Sequence, residues 1–335
     1  MCTAATYKTK RFYFGRTLDY DKSYDEEVTI TPRGFLLDFR KTESLKKHYA
    51  LIGTAFVPDG YPLYYDAMNE KGLCMAGLNF VGNAYYGREQ ADKINLSQFE
   101  FIPYILGKCA SVDEAEKTLK KINLISLPYS KNLAVAELHW IIADKKRCIT
   151  VESVKEGLKI YDNPVGVLTN NPAFPEQLFN LNNYMGLSVK EPQNTFSKKL
   201  KLQIYGRGFG AIGLPGDWSP QSRFVRAAFV KLNAVSGDSE EEGVNQFFHI
   251  MGTVEQPCGS GITENGGYER SVYTSCCCAD SGVYYYTTYA NHSICAVDMR
   301  AENLEGESLI RYPHLSRENI VFQNGRKPLQ AEEIR

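Results

Sequence analysis

A layered α+β fold is predicted by this sequence, and three observations carry the prediction. Runs of β-branched and aromatic residues punctuated by turn residues gather early in the chain, in its middle and near its C-terminal end. Segments with helical apolar spacing and strong caps are set among them. No repeat, linker or low-complexity stretch divides the 335 residues, so one domain spanning 1–335 is expected, with helices packed on sheets.

The elements follow in order. Phe12-Tyr13-Phe14-Gly15 and Glu27-Val28-Thr29-Ile30 read as early strands, bounded by Gly, Asp and Pro. Ser111-Val112-Asp113-Glu114 is a capping box, in which hydroxyl and carboxylate satisfy each other's orphan N–H groups. The helix it opens would bury Val112, Ala115, Leu119 and Ile122. Residues 134–143, 147–153 and 157–161 read as a meander with tight polar turns. Ser219-Pro220 supplies an N-cap and a first helical residue for a helix carrying Phe224, Ala228 and Leu232 at i, i+4 spacing. A second helix covers 240–251, and 272–278, 282–288 and 293–298 close the chain as antiparallel strands.

Composition excludes several classes. A net charge of −1 points to neither a nucleic-acid partner nor an anionic membrane surface. There is no 18-residue apolar run and no charged segment leading into an apolar stretch, so no transmembrane span and no secretory signal is read. A cytoplasmic protein with reduced thiols is expected. The nine Cys lack CxxC spacing and a His cluster, so no metal site is predicted. Cys276-Cys277-Cys278 would alternate across a strand and cannot share one ion; they read as small strand residues. Gly208-Phe-Gly210-Ala-Ile-Gly213 fits GxGxxG, but Leu214-Pro215-Gly216 follows at once and leaves no helix to face a pyrophosphate. No GxSxG is present, and His139 beside Trp140 reads as packed. No cofactor is implied.

The chemistry concentrates at Cys2. Removal of Met1 would leave a thiol and a free α-amine on one residue. The amine titrates at about 7.7–8.0 and the thiol at about 8.5, so one can take the other's proton near neutrality. Elsewhere, polar residues sit in apolar or glycine-rich contexts. Arg16 and Asp19 lie three apart just after a strand; the Arg suits a thiolate or another anion, the Asp an ammonium. Asn79 in Gly77-Leu-Asn-Phe80 and Asn170 in Leu168-Thr-Asn-Asn-Pro172 are uncharged donors suited to an oxyanion. Asn171 before proline suggests an Asx-turn. Arg223 lies in the first turn of its helix.

Six segments in order resemble the choloylglycine hydrolase family: Met1-Cys2-Thr3; Phe14-Gly-Arg16-Thr-Leu-Asp19; Met68-Asn-Glu-Lys-Gly-Leu73; Ala76-Gly-Leu-Asn79-Phe80; Gly166-Val-Leu-Thr-Asn170-Asn-Pro172; and Leu214-Pro-Gly-Asp-Trp-Ser-Pro-Gln-Ser-Arg223-Phe224. That family holds bile salt hydrolases and penicillin V acylases, and the chain most resembles the bile salt hydrolases of Gram-positive gut bacteria. The resemblance implies an N-terminal nucleophile (Ntn) hydrolase fold, a four-layer αββα sandwich.

It also implies a site. Cys2 would be the nucleophile with its own α-amine as base. Arg16 and Asp19 would position thiolate and amine. Asn79 would share the oxyanion hole, and Asn170 would orient the α-amine or the scissile amide. Arg223 would tune Cys2 by charge. Leu18, Phe56, Tyr65, Tyr129 and Leu133 fall on or near the pocket-wall segments. The implied reaction is hydrolysis of glycine- or taurine-conjugated bile acids through a thioester. Asn79 favours this substrate class, because penicillin V acylases typically carry Tyr at that place. The alternatives are a penicillin V or N-acyl homoserine lactone acylase, or a non-catalytic or redox relative with a degraded site. Arg207 in the loop 205–210 is a candidate reader of carboxylate or sulfonate. A homotetramer is expected, with the segment 187–202 as an intersubunit arm.

Overall fold

The structure, a computed structural model, describes residues 1–324; residues 325–335 of the expected domain lie outside them. The chain opens with an antiparallel pair, β1 (Cys2–Lys8) and β2 (Phe12–Tyr20), then crosses to β3 (Glu27–Thr31), β4 (Leu51–Phe56), β5 (Leu63–Asn69) and β6 (Cys74–Asn79). A short parallel pair, β7 (Ile94–Ser97) and β8 (Ile122–Ile125), brackets α1 (Phe101–Lys108) and α2 (Val112–Leu119). The meander β9 (Leu138–Ala143), β10 (Cys148–Val154) and β11 (Gly157–Asp162) leads to β12 (Val167–Leu168) and α3 (Phe174–Asn180). After α4 (Pro220–Asn233) and α5 (Glu240–Gly252) come β13 (Arg270–Cys278), β14 (Val283–Thr288), β15 (Asn291–Asp298) and β16 (Ile310–Pro313).

Two sheets result, one ordered β12-β1-β2-β13-β14-β15 and the other β11-β10-β9-β6-β5-β4-β3-β16. They face each other through β1, β2 and β6. Helices α4 and α5 cover the outer face of the first sheet, and α1 covers the outer face of the second. This is the four-layer αββα sandwich. Its central strands are buried on both faces and therefore read as nearly continuous apolar runs. In β6, Cys74, Ala76 and Leu78 point into the inter-sheet core while Met75 packs under the helices; in β9, Ile141 and Ala143 go one way and Trp140 and Ile142 the other.

Local signals placed most elements and missed some ends. Arg16 and Asp19, expected just after a strand, lie inside β2, because β13 pairs along its whole second half. Ser111 caps α2 by accepting from the Glu114 N–H at 3.3 Å, but the Glu114 carboxylate turns to Ala110 N instead. Ile122, expected on that helix, opens β8 because the helix stops at Leu119. Strand β9 starts at Leu138, after an irregular stretch from 134. Phe224 and Ala228 are buried as expected; Leu232 is 62% exposed, on a last turn of α4 that carries no buried residue. The three consecutive Cys are buried strand residues, and burial raises each thiol's pKa. The GxGxxG segment forms a single short 3-10 turn, Phe209–Ala211, with no helix behind it.

Candidate active site

Strand ends converge at one end of the sandwich. β1 begins where β2 finishes, so Cys2 lies opposite Leu18. β13 begins at the same end, with Ser271 opposite Asp19 and Arg270 opposite Tyr20. In the second sheet β6 ends there at Asn79, opposite the first residue of β9. β12 flanks β1 on its other side, with Leu168 opposite Ala4. The chain leaving β12 therefore carries Asn170 to Cys2.

Opposed residues of antiparallel strands share a face. Cys2, Leu18 and Arg16 thus face the second sheet, and Thr3, Thr17 and Asp19 face the helices. On the helix side, Ser219 caps α4 and sets the direction of Arg223, two residues into its first turn beyond Pro220 and Gln221. The Arg223 guanidinium, fully buried, donates from Nη1 to Cys2 O (2.5 Å) and Thr3 Oγ1 (2.6 Å), from Nη2 to Asn170 Oδ1 (2.7 Å), and from Nε to Trp218 O (2.9 Å). Burial lowers its pKa, against the pull of Asp19 and Cys2.

Asn170 is engaged at both ends of its side chain. Its Oδ1 also accepts the Cys2 N–H at 3.0 Å, and its Nδ2 donates to Asn79 O at 2.8 Å. Gln177 holds the Asn170 carbonyl from behind. The side-chain amide of Asn79, half-buried at the end of β6, makes no hydrogen bond among the described residues. Asn171 is not an Asx-turn: its Nδ2 ties the loop to Val81 O at 2.7 Å.

Arg16 crosses the inter-sheet space. It donates from Nη1 to Gly77 O (2.5 Å) and Tyr65 O (3.2 Å), and from Nε to Thr17 O (3.2 Å). Its Nη2 is buried without a hydrogen-bond partner among the described residues. Burial opposes its charge, but Cys2, Tyr273, Asp66 and Asp19 outweigh it, and its pKa is raised. Asp19 accepts from Ser271 Oγ (2.5 Å), Thr17 Oγ1 (3.1 Å) and Gln256 Nε2 (3.4 Å). Burial raises its carboxyl pKa, with Arg223 the largest opposing influence. The Asp19 backbone grips Met1, whose amine also pairs with Glu269.

Arg16, Asp19, Asn79, Asn170 and Arg223 thus lie around Cys2, directly or through one another. Sequence reasoning missed their supports, Thr3, Thr17, Gln177, Gln256, Ser271 and the Trp218 carbonyl. No local signal marks them, since each matters only through a contact made across the fold. His139 is packed, bonded to Glu152 (3.2 Å) and Thr169 O (2.9 Å).

The expected pocket residues divide. Leu18 is opposite Cys2 in the strand register, and Tyr65 lends its carbonyl to Arg16. Phe56 ends β4 and lines a cavity of about 560 Å³, along with Val272, Tyr289, His314 and Arg270. Rings of Tyr20, Tyr24 and Phe56 follow one another at 5.8 and 6.3 Å, a run not foreseen from the sequence. Tyr129 bonds Pro58 O, just beyond Phe56, at 3.0 Å, and Leu133 pairs with Ser130 in the same loop. Arg207 is exposed.

Comparison with known proteins identifies the family and the fold. The family model of the linear amide C–N hydrolases, choloylglycine hydrolase family, matches residues 2–312. A bile salt hydrolase/transferase of Lactiplantibacillus plantarum is 56% identical over 313 residues, covering 93% of this chain and 97% of that protein. The C2A mutant of a conjugated bile acid hydrolase from Clostridium perfringens superposes with a TM-score of 0.90 at 36% identity, covering 97% of this chain and all of the other. A penicillin V acylase from Agrobacterium tumefaciens shares the fold at a TM-score of 0.72 and 20% identity, over 92% of this chain and 90% of its own. With its two facing sheets, its helical outer layers and Cys2 at the head of the first strand, the chain belongs to the choloylglycine hydrolase family and is an amide hydrolase of the N-terminal nucleophile fold.

Proposed function

We propose that the chain is a bile salt hydrolase that cleaves the amide bond of glycine- or taurine-conjugated bile acids, with Cys2 as nucleophile after loss of Met1. One observation carries this reading: the Cys2 nitrogen already sits on Asn170 Oδ1, a position fixed by Arg223. Cleavage of the Met1–Cys2 bond turns that nitrogen into the α-amine in place, beside its own thiol. The amine takes the thiol proton, and Arg16, with its unpartnered Nη2, favours the thiolate.

The thiolate attacks the amide carbonyl, and a tetrahedral oxyanion forms. The free Asn79 amide stabilises it, an uncharged donor of a kind worth about 3–4 kcal/mol. The α-ammonium protonates the leaving glycine or taurine nitrogen, and water then hydrolyses the thioester. Asn170 is read as the holder of the amine, because its Oδ1 already accepts the Cys2 nitrogen and is itself anchored by Arg223. Asp19 acts on the amine through charge. Leu18, Phe56, Tyr65, Tyr129 and Leu133 contribute to an apolar wall for the steroid, each Å² of which adds about 25 cal/mol.

The 56% identity with a bile salt hydrolase/transferase supports the substrate class. The reading also includes assembly as a homotetramer in the cytoplasm. Large apolar side chains, Val189, Phe196, Leu200 and Leu202, stand exposed along the proposed arm, which suits burial against a second copy. The substrate test is amine release from glycocholate, taurocholate and penicillin V. Release mainly from the bile salts is expected; release mainly from penicillin V, or from N-acyl homoserine lactones in a parallel assay, would move the chain to an acylase activity.

A further inference from the structure

Cys2 lies between two couples of buried opposite charges, one on each face of its sheet. On the helix side Arg223 and Asp19 each feel the other as their strongest opposite charge. On the inter-sheet side Arg16 has no carboxylate within ion-pair distance among the described residues, and its direct partners are carbonyls. A buried guanidinium still needs a counter-charge nearby.

Asp66 stands in that position. It lies on β5, fully buried, directly opposite Thr54 on one side and Ala76 on the other, and projects toward the first sheet. Its Oδ1 accepts from Tyr273 (2.5 Å), and its Oδ2 accepts from Tyr284 (2.8 Å) and Ser275 (2.9 Å). Ser275 Oγ in turn accepts the backbone N–H of Arg16 at 3.1 Å. Arg16 Nη1 bonds the carbonyl of Tyr65, the residue before Asp66, and of Gly77, the residue after its cross-strand neighbour Ala76. The carboxylate and the guanidinium are thus held in one frame. Every donor to Asp66 is a hydroxyl, an arrangement that favours an ionised carboxylate over a protonated one.

We propose that Asp66 is the counter-charge of Arg16 and, through it, a positioning residue that sets the pH at which the Cys2 thiol ionises. This rests on Cys2 as the nucleophile. The groups facing Asp66 are Arg16 from β2, Tyr273 and Cys277 from β13, Tyr284 from β14 and Cys74 from β6. Those acting with Cys2 are Arg16, Arg223 and Tyr65. Burial raises the Asp66 carboxyl pKa, and Arg16 is the largest influence holding it down. With Asp66 ionised, Arg16 is partly neutralised. Without it, Arg16 acts on the thiolate alone.

The test compares the mature wild type with Asp66→Asn, which keeps the shape and removes the charge. Iodoacetamide labelling of Cys2, located by peptide mass, is followed against pH alongside kcat/KM for glycocholate. The labelling midpoint and the acid limb of kcat/KM are expected to move down together by about 0.5–1 pH unit. Thr54→Val is the control for bracing between the sheets: it removes the Thr54–Tyr284 bond (2.7 Å) and the Thr54–His314 contact (3.3 Å), keeps all three donors to Asp66, and should lower Tm without moving either midpoint. If Asp66→Asn does not fold, Asp66→Ser carries the test: it too removes the charge while keeping a hydroxyl among the three donors, and the midpoints are expected to fall in the same direction. Midpoints that stay in place, or that move equally in Thr54→Val, would overturn the proposal. The labelling result stands apart from hydrolysis, so a chain inactive on glycocholate refutes the proposed function without deciding the role of Asp66.

Discussion

Arg223 holds Asn170: its Nη2 donates to Asn170 Oδ1 at 2.7 Å, and the same oxygen receives the Cys2 nitrogen at 3.0 Å. One guanidinium therefore fixes the acceptor for the nucleophile's own nitrogen, and its other arm binds the Cys2 carbonyl. A lysine cannot reproduce this fork. Arg223→Lys is expected to lower kcat on the order of 100-fold with the charge conserved, since the Asn170 oxygen loses its anchor. Steady-state kinetics with a Tm measurement check this; a kcat within a fewfold of wild type would contradict it.

Asn79 and Asn170 should separate in kinetics. Asn79 offers a free amide, whereas Asn170 is spent on structure at both ends. Asn79→Ala should lower kcat by roughly 100- to 1,000-fold with little change in Tm. Asn170→Ala should lower both, because it also frees the end of β6 and strands a buried guanidinium. Thermal melts beside single-turnover rates distinguish the two.

Gly15 precedes Arg16 at a point where β13 comes very close. A Cβ there would lie 1.9 Å from Ser275 O and 3.0 Å from Cys276 Cα, both backbone. Gly15→Ala has to push β2 from β13 and with it Arg16 and Asp19. A loss of at least about 2 kcal/mol is expected, with activity falling further than stability explains. Denaturant melts and rates measured well below Tm read the two effects.

Part of the acid sensitivity should trace to His314. Its ring stacks on Tyr286 at 4.5 Å, and burial lowers its pKa to about 4. The folded state therefore keeps it neutral, whereas the unfolded chain protonates it near pH 6.5. Its contribution is complete above about pH 6.5 and is lost progressively as pH falls toward 4, a loss of up to roughly 3 kcal/mol. His314→Gln should flatten Tm against pH in that window; an unchanged slope would exclude His314.

Thiol labelling gives a further check. Cys258 is exposed, and Cys276, Cys277 and Cys278 are buried with raised pKa values. Maleimide on the folded chain should modify Cys258 early and leave those three untouched until unfolding.

Many of the individual elements were legible because their signals are local, whereas the order of the layers came only through the family resemblance. Ser219-Pro220 and Ser111 announce the starts of α4 and α2, and the strand run at 134–143 reads from its apolar residues. Leu232 and Ile122 were misplaced because local apolar spacing does not tell where a helix stops or leaves its packing surface: α2 ends at Leu119, and the last turn of α4 has no buried residue. The residues around Cys2 could be named only from ordered motifs, since their chemistry arises from pairings such as Cys2 with Leu18 and Ser271 with Asp19. Asp66 carried no motif at all. Within Tyr65-Asp66-Ala67 nothing distinguishes a charged strand residue from an exposed one, and only the three hydroxyls from β13 and β14 reveal its burial.

The central claim is that Cys2, freed by loss of Met1, is the nucleophile. The most direct measurement is intact mass of the purified enzyme together with glycine release from glycocholate, for wild type and Cys2→Ala. A mass lacking Met1 and release that vanishes in Cys2→Ala are the predicted result. An active enzyme that retains Met1, or release that survives Cys2→Ala, would contradict the mechanism.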